Sequence, residues 1–380
     1  MNENRVIVLA AAALAVAAIV AGCCTPNDIL GGAIPEFAFV SNETSNNVNA
    51  YGVSSATGAL TAVTGSPFEG ETDPRGVAVD PAGKFLYMAN AGSNNISAYT
   101  INATSGALTP VVGSPVVGAG TGPRGVVVDP SGKFVYAANE GSNDISAYTI
   151  NASSGALTEL ADSPFPEGET QEQYGPRGVA IDPSGKYLFV TNHLADNVSV
   201  FSIDAASGAL LQVTGSPFTS GNTPFNVAVD PSGKYVYVTN HLSGNVTAYT
   251  LNAANGVLTE IEPGSPFASG SQPHGVVVDP SGKFVYVANH GSGNVSAYSI
   301  TAATGALTEL TSAGSPFDAG SGPYGLATDF SGKYLYVANN SSGDVSAYSI
   351  NATTGALTEL AGSPFAAGTG PHGVAVARPQ

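Results

Sequence analysis

Eight side chains able to carry positive charge fall at two repeated places in this chain. The residue after a recurrent Pro reads Arg75, Arg124, Arg177, Phe225, His274, Tyr324 and His372. The residue after a recurrent Asn reads Glu43, Ala91, Glu140, His193, His241, His290 and Asn340. These two sets hold all five His and every Arg between Glu36 and Ala377, whereas the six Lys sit in a third repeated place, a "GK" turn. Where copies of a repeat keep one residue, the scaffold needs it. Where they diverge into Arg, His, Glu and Tyr, a site is expected. Planar guanidinium forks bind carboxylate and phosphate bidentately, so these residues point to a small anionic ligand. Imidazole and carboxylate groups beside them add proton transfer. The binding set is Arg75, His241, His274, His290, Tyr324, His372 and Glu43, beside Arg124, Arg177, Glu140 and His193, and the richest sector is the four consecutive repeats that pair Arg124 with Glu140, Arg177 with His193, Phe225 with His241 and His274 with His290.

The elements that must hold these residues follow from the repeat. The Asp of "DPSGK" recurs at Asp80, Asp129, Asp182, Asp230, Asp279 and Asp329, in steps of 49, 53, 48, 49 and 50 residues. Each unit offers a short apolar strand ("GVAVD"), a Pro/Gly reversal, and a second strand rich in Val, Tyr and Phe ("KFVYVAN"). A third strand ("ISAYTI") and a brief fourth ("ALTEL") complete it. Strands apolar on both faces suit sheets sandwiched between other sheets. Four antiparallel strands repeated radially predict an all-β, seven-bladed β-propeller. The segment from Glu36 lacks a first strand, and Gly373 to Ala377 is a first strand that lacks the rest. Residues 36–64 and 373–377 are therefore expected to form one composite blade that closes the ring and removes its edges. Antiparallel first and second strands put both candidate sets on one face, and the Lys turns on the other. The second set lies one strand spacing further out, about 5 Å.

Composition excludes several classes. The 380 residues carry a net charge of −17 with eleven Lys and Arg in all, too few to neutralise phosphates, so no nucleic acid is expected. Arg5 precedes an uncharged run from Val6 to Cys24, which reads as a secretory signal over residues 1–22. "VAGC" resembles a lipobox, making Cys23 the lipidated mature N-terminus, residues 23–35 a tether and 36–377 the propeller. An uncleaved transmembrane anchor is the alternative. Either way the domain is expected outside the cytoplasm, tethered to a membrane in the cell envelope. Cys23 and Cys24 are the sole cysteines, so the folded part has no disulfide and no thiolate ligand.

"GPRGVAIDPSGKYLFVTNHLADNVSVFSIDAASGAL", Gly175 to Leu210, resembles the lactonase or 6-phosphogluconolactonase-like seven-bladed propellers and their "YVTN" relatives, over about residues 36 to 377. The resemblance implies lactone hydrolysis, with Glu140 or His193 activating water and Arg124 and Arg177 stabilising the oxyanion. That family's "NE" is kept at Asn139–Glu140 and Asn42–Glu43. The His of its "PRH" is replaced by Gly76, Gly125 or Gly178. A non-catalytic propeller that binds an anionic ligand, an envelope component or a partner protein is the other reading.

No cofactor is expected. Equivalent His on adjacent blades should lie too far apart to share an ion, so His193, His241 and His290 are not read as a metal centre. The "GSP" serines and the sequons recur with the repeat and are scaffold. One loop breaks the pattern: Pro164 to Pro176 spans 12 residues where most others span 7. Its insert is expected to bring Glu167, Glu169, Glu172 and Tyr174 to the candidate face beside Arg177 as a ligand loop or lid.

Overall fold

Asp230 illustrates how one repeat turns back on itself. Its side chain is buried, and one carboxylate oxygen accepts the backbone N–H groups of Lys234 and Tyr235, both at 2.7 Å. The other accepts the N–H of Ser232 at 3.0 Å and the Ser232 hydroxyl. Gly233 then takes the left-handed conformation (φ 67°) that the reversal requires. Five further Asp build the same turn, each capping a Lys N–H. Asp230→Ala would strand these buried donors and is expected to cost about 2–4 kcal/mol in chemical denaturation. Asp230→Asn, which keeps an acceptor, should recover about half.

The computed structural model describes residues 35–117, 120–167 and 174–380. The predicted signal, the tether as far as residue 34 and the lipidation site Cys23 lie outside these. Seven antiparallel sheets follow one another along the chain. In six of them the second strand is buried throughout, as at Tyr235–Asn240, and in the composite sheet all of Glu36–Asn42 but Glu36 is buried. Tyr235 and Tyr237 pack towards one neighbouring sheet, Val236 and Val238 towards the other. This is why the strands read as apolar on both faces. The outermost strand is broken in two: Leu258–Glu260 and Phe267–Ala268 both pair with Asn245–Leu251.

The ends of the chain meet as expected. Pro371–Ala377 pairs with Glu36–Asn42, with Phe37 opposite Ala377 and Val40 opposite Val374. The closing strand begins at Pro371, two residues before the predicted start. Side-chain bonds between blades cross the junction like any other. Tyr336 donates to the carbonyl of Gly58 at 2.8 Å, as Tyr237 does to Gly305 at 2.9 Å.

Candidate functional site at the channel mouth

Each first strand opens with a Pro paired to the Asn that ends its second strand, for example Pro123 with Asn139 and Pro224 with Asn240. The two candidate sets therefore share one face. The register slips after each Pro. Gly125 pairs with Ala138 and Asn226 with Thr239, which leaves Arg124 and Phe225 as extra, unpaired residues. Such a bulge re-aims a side chain out of the ladder, here into the channel. It also explains the missing "PRH" histidine. A Cβ at Gly76 would come within 2.5 Å of the Arg124 carbonyl oxygen, and at Gly125 within 2.4 Å of that of Arg177. No side chain fits at those positions while the first strands pack this closely.

Side-chain latches hold four of the seven entries. Asn46, Asn94, Asn143 and Asp196 have left-handed backbones. Their side-chain oxygens accept the N–H of Asp73, Gly122, Gly175 and Thr223 at 2.9, 2.8, 2.8 and 2.7 Å. Those donors stand two residues before Arg75, Arg124, Arg177 and Phe225. The other blades have Gly244, Gly293 and Gly343 at the latch position.

The mouth divides into a charged half and an aromatic half. In the charged half Arg75 Nη1 lies 2.8 Å from Glu43 Oε2, and its Nε lies 3.0 Å from Asp73 Oδ1. Asn340 donates to Glu43 Oε1 at 3.2 Å. Arg124 Nε bonds Glu140 Oε2, whose partner oxygen meets His193 Nε2 at 3.1 Å and Arg177 Nη1 at 3.7 Å. His193 Nδ1 faces the Gly175 carbonyl at 2.8 Å. Two acceptors flank this ring, so only the doubly protonated imidazolium donates to both. Burial and the neighbouring Arg75 and Arg177 hold Arg124 below its ordinary range, although the Glu140 carboxylate opposes them.

The aromatic half is a stack. Phe225 and His274 lie parallel at 3.9 Å, His274 meets His290 at 4.6 Å, and Tyr324 meets His274 edge-on at 4.3 Å. His241 Nδ1 and His274 Nε2 are 2.8 Å apart, one donor and one acceptor. Arg177 joins the halves, its guanidinium 3.8 Å above Phe225 and its Nη2 donating to the Tyr324 hydroxyl at 3.0 Å. With blades counted along the chain from the one that begins at Pro74, that bond links blades three and six. The channel itself holds a cavity of about 200 Å³ lined by Val77, Val126, Val179, Leu326 and Asn226. Burial, reinforced by nearby His and Arg, pushes His274 down to about 2 and lowers His241 and His372; burial alone lowers His290. These four rings are neutral near pH 7 and act through stacking and hydrogen bonds.

Two expectations need correcting, and one pair of candidates parts company. The arginines do not stand free for an anion, because each faces a carboxylate. Glu43 and His372 share a blade but diverge: Glu43 turns to Arg75 and Asn340, while His372 packs on Tyr324 at 3.9 Å. Glu167 does not face the mouth. It occupies the place of Ser220 and Ser269, whose hydroxyls point inward to Asn240 and Asn289. It is likewise buried, accepting the Ser199 hydroxyl at 2.5 Å. Tyr174 is buried too, its carbonyl accepting the Leu194 N–H at 3.0 Å. Glu169 and Glu172 lie outside the described residues. Among the described residues no three His, Cys, Asp or Glu are placed to hold a metal ion. Asp73 escaped the sequence reading, although an Asp where other blades have Gly, Thr or Gln was a visible signal.

The seven-bladed β-propeller family named Lactonase matches residues 28–120, 112–271 and 263–372, and the chain belongs to that family. A 6-phosphogluconolactonase of Photorhabdus laumondii is 43% identical over 54 residues, 14% of this chain and 16% of that protein. Among solved structures, a candidate 6-phosphogluconolactonase of Bacteroides fragilis is similar with a TM-score of 0.78 and 22% identity, covering 93% of this chain and 99% of that one. The periplasmic gluconolactonase of Pseudomonas aeruginosa is similar with a TM-score of 0.75 and 19% identity, covering 90% and 99%. At these identities the two structures speak to the fold.

Proposed function

We propose that this protein is a lactone hydrolase whose reaction runs at the channel mouth, in a domain tethered outside the cytoplasm through Cys23. The convergence of Arg124, Arg177 and His193 on the single carboxylate of Glu140 carries this reading. Glu140 takes a proton from water as the water oxygen attacks the lactone carbonyl carbon. Arg177 and Arg124 stabilise the oxyanion that forms. As the ring C–O bond breaks, His193 gives its proton to the departing alkoxide, and the proton on Glu140 then restores the imidazolium. The hydroxy acid formed ionises and releases one proton per turnover.

Acid release from a panel of lactones tests this. Glu140→Gln keeps the shape of the network without its charge and is expected to lower kcat by about 10²–10⁴-fold. Arg177→Ala and His193→Ala should each cost about 10²-fold or more. No turnover of any lactone by the folded protein would exclude the proposal. A non-catalytic binding propeller is the second reading, favoured by the prior engagement of all three arginines with carboxylates. In that case ligand binding would survive Glu140→Gln with no acid released by either protein.

A further inference from the structure

Three of the seven second strands carry a hydroxyl just before their final Asn, at Ser41, Thr191 and Thr239, where the other four have Ala89, Ala138, Ala288 and Ala338. All seven residues are fully buried. Each hydroxyl bridges two blades. Thr191 Oγ1 accepts the N–H of Gly178 at 2.8 Å and donates to the Phe225 carbonyl of the next blade at 3.2 Å, with the Gly178 carbonyl at 3.4 Å. Thr239 Oγ1 accepts the N–H of Asn226 at 3.2 Å and donates to the His274 carbonyl at 2.6 Å. Ser41 Oγ spans Gly373 and Arg75 in the same way, at 3.0 and 2.5 Å.

The bridged atoms belong to the peptides that follow the mouth residues. The Phe225–Asn226 peptide is gripped at both ends, its carbonyl by Thr191 and its N–H by Thr239. Holding this peptide fixes where the Phe225 side chain starts, and its ring is a platform for two neighbours. The Arg177 guanidinium lies 3.8 Å from the ring centre, and His274 stacks on the ring at 3.9 Å and 3°. Where Ala replaces the hydroxyl, at the junctions from His274 to Tyr324 and from Tyr324 to His372, the rings meet at 71° and 41° instead. Arg177 depends on the platform because its ion pair with Glu140 is long, 3.7 Å against 2.8 Å between Arg75 and Glu43. A cation over an aromatic face is held by the ring quadrupole.

We infer that Thr191 and Thr239 are positioning residues, which hold the Phe225 ring where it aims the Arg177 guanidinium at the reacting group. This rests on the lactone reading above and adds two residues that serve it. The test uses the full protein, with D-glucono-1,5-lactone for turnover. The Arg177 side-chain N–H resonance, assigned by its loss in Arg177→Ala, reports geometry without substrate. Thr191→Val removes the hydroxyl at nearly constant shape, and the fold should persist because four blades carry Ala at this place. It is expected to lower kcat about tenfold with KM little changed. It should also move the Arg177 resonance as the guanidinium leaves the ring, and Thr239→Val should move it likewise. Thr191→Ser, which keeps a hydroxyl as Ser41 does, should restore both readouts. In an Arg177→Ala background Thr191→Val should add no further loss, since it acts through that guanidinium. A resonance that neither Val variant moves, or a loss of kcat that persists undiminished without Arg177, would overturn the inference. If the parent protein hydrolyses no lactone, the hydrolase reading falls and the resonance alone decides whether the two hydroxyls set Arg177.

Discussion

A chain ending at Gly370 is expected to lose its cooperative thermal transition. The missing strand, Pro371–Ala377, is the inner strand of a blade whose other strands come from the N-terminal segment. Without it Glu36–Asn42 has no partner along its inner edge, and Ala377, fully buried beside Phe37 and Phe39, is gone. The loss reaches both neighbours. A Cβ at Gly373 would touch the Arg75 carbonyl at 2.7 Å, and one at Gly325 the His372 carbonyl at 2.3 Å, so this strand is wedged between the first strands of blades one and six. A closed ring then becomes an open array with exposed edges. Domains of this kind are stabilised by only about 5–15 kcal/mol, and the loss of a central strand with its packing on two blades exceeds that margin. Thermal unfolding followed by near-ultraviolet circular dichroism, with light scattering for edge-to-edge association, would show it. A truncated chain that melts like the full one would rule out closure by this strand.

Glu167→Gln is expected to remove a large pH dependence of stability. Among the described residues Glu167 Oε1 is buried without a partner, and so is Asn192 Oδ1. Asn192 Nδ2 is committed to Asn197 and Ser199, each at 2.8 Å, and Ser199 donates to Glu167 Oε2. Protonation of Glu167 removes a fully buried charge. Consistently, burial raises its pKa to about 8 against the opposing hydrogen bonds of Ser199 and Asn192, and no cation is close enough to reverse this. In the unfolded chain the group titrates near its ordinary 4.5. Below that pH both states are protonated, and folding buries no charge at this position. As pH rises from there to about 8 only the unfolded chain ionises, so stability falls throughout the window and levels off above it. A difference of this size amounts to at most about 4–5 kcal/mol. Gln is neutral at every pH and keeps an oxygen for Ser199, so its curve should lack this slope. Chemical denaturation of both proteins between pH 5 and 9 gives the comparison, and parallel curves would refute a protonated Glu167.

Much of this architecture is local and therefore legible. The turn Asp, the Gly that follows it and the apolar second strand recur at a near-constant period, and each acts on residues a few positions away. Divergence between copies likewise picks out Arg124, Arg177, Glu140 and His193, which the structure does bring together. Pairing within a hairpin also follows, since antiparallel strands force Arg124 beside Glu140. The bulge after each Pro is less visible, because it depends on how closely neighbouring first strands approach.

The sequence by itself determined the seven-bladed ring, its closure by the two ends of the chain and the face that carries the Arg, His and Glu residues. Turn chemistry and strand periodicity are short-range properties that each repeat states again. Only the tertiary structure decided how those residues are used. Glu43 meets Arg75 of the next blade, Arg177 reaches across the channel to Tyr324, and Glu167 turns inward to Ser199. Such encounters depend on distances between blades and on side-chain directions that no spacing along the chain encodes. They turn an apparent ring of free cations into an ion-paired network beside a stack of neutral rings.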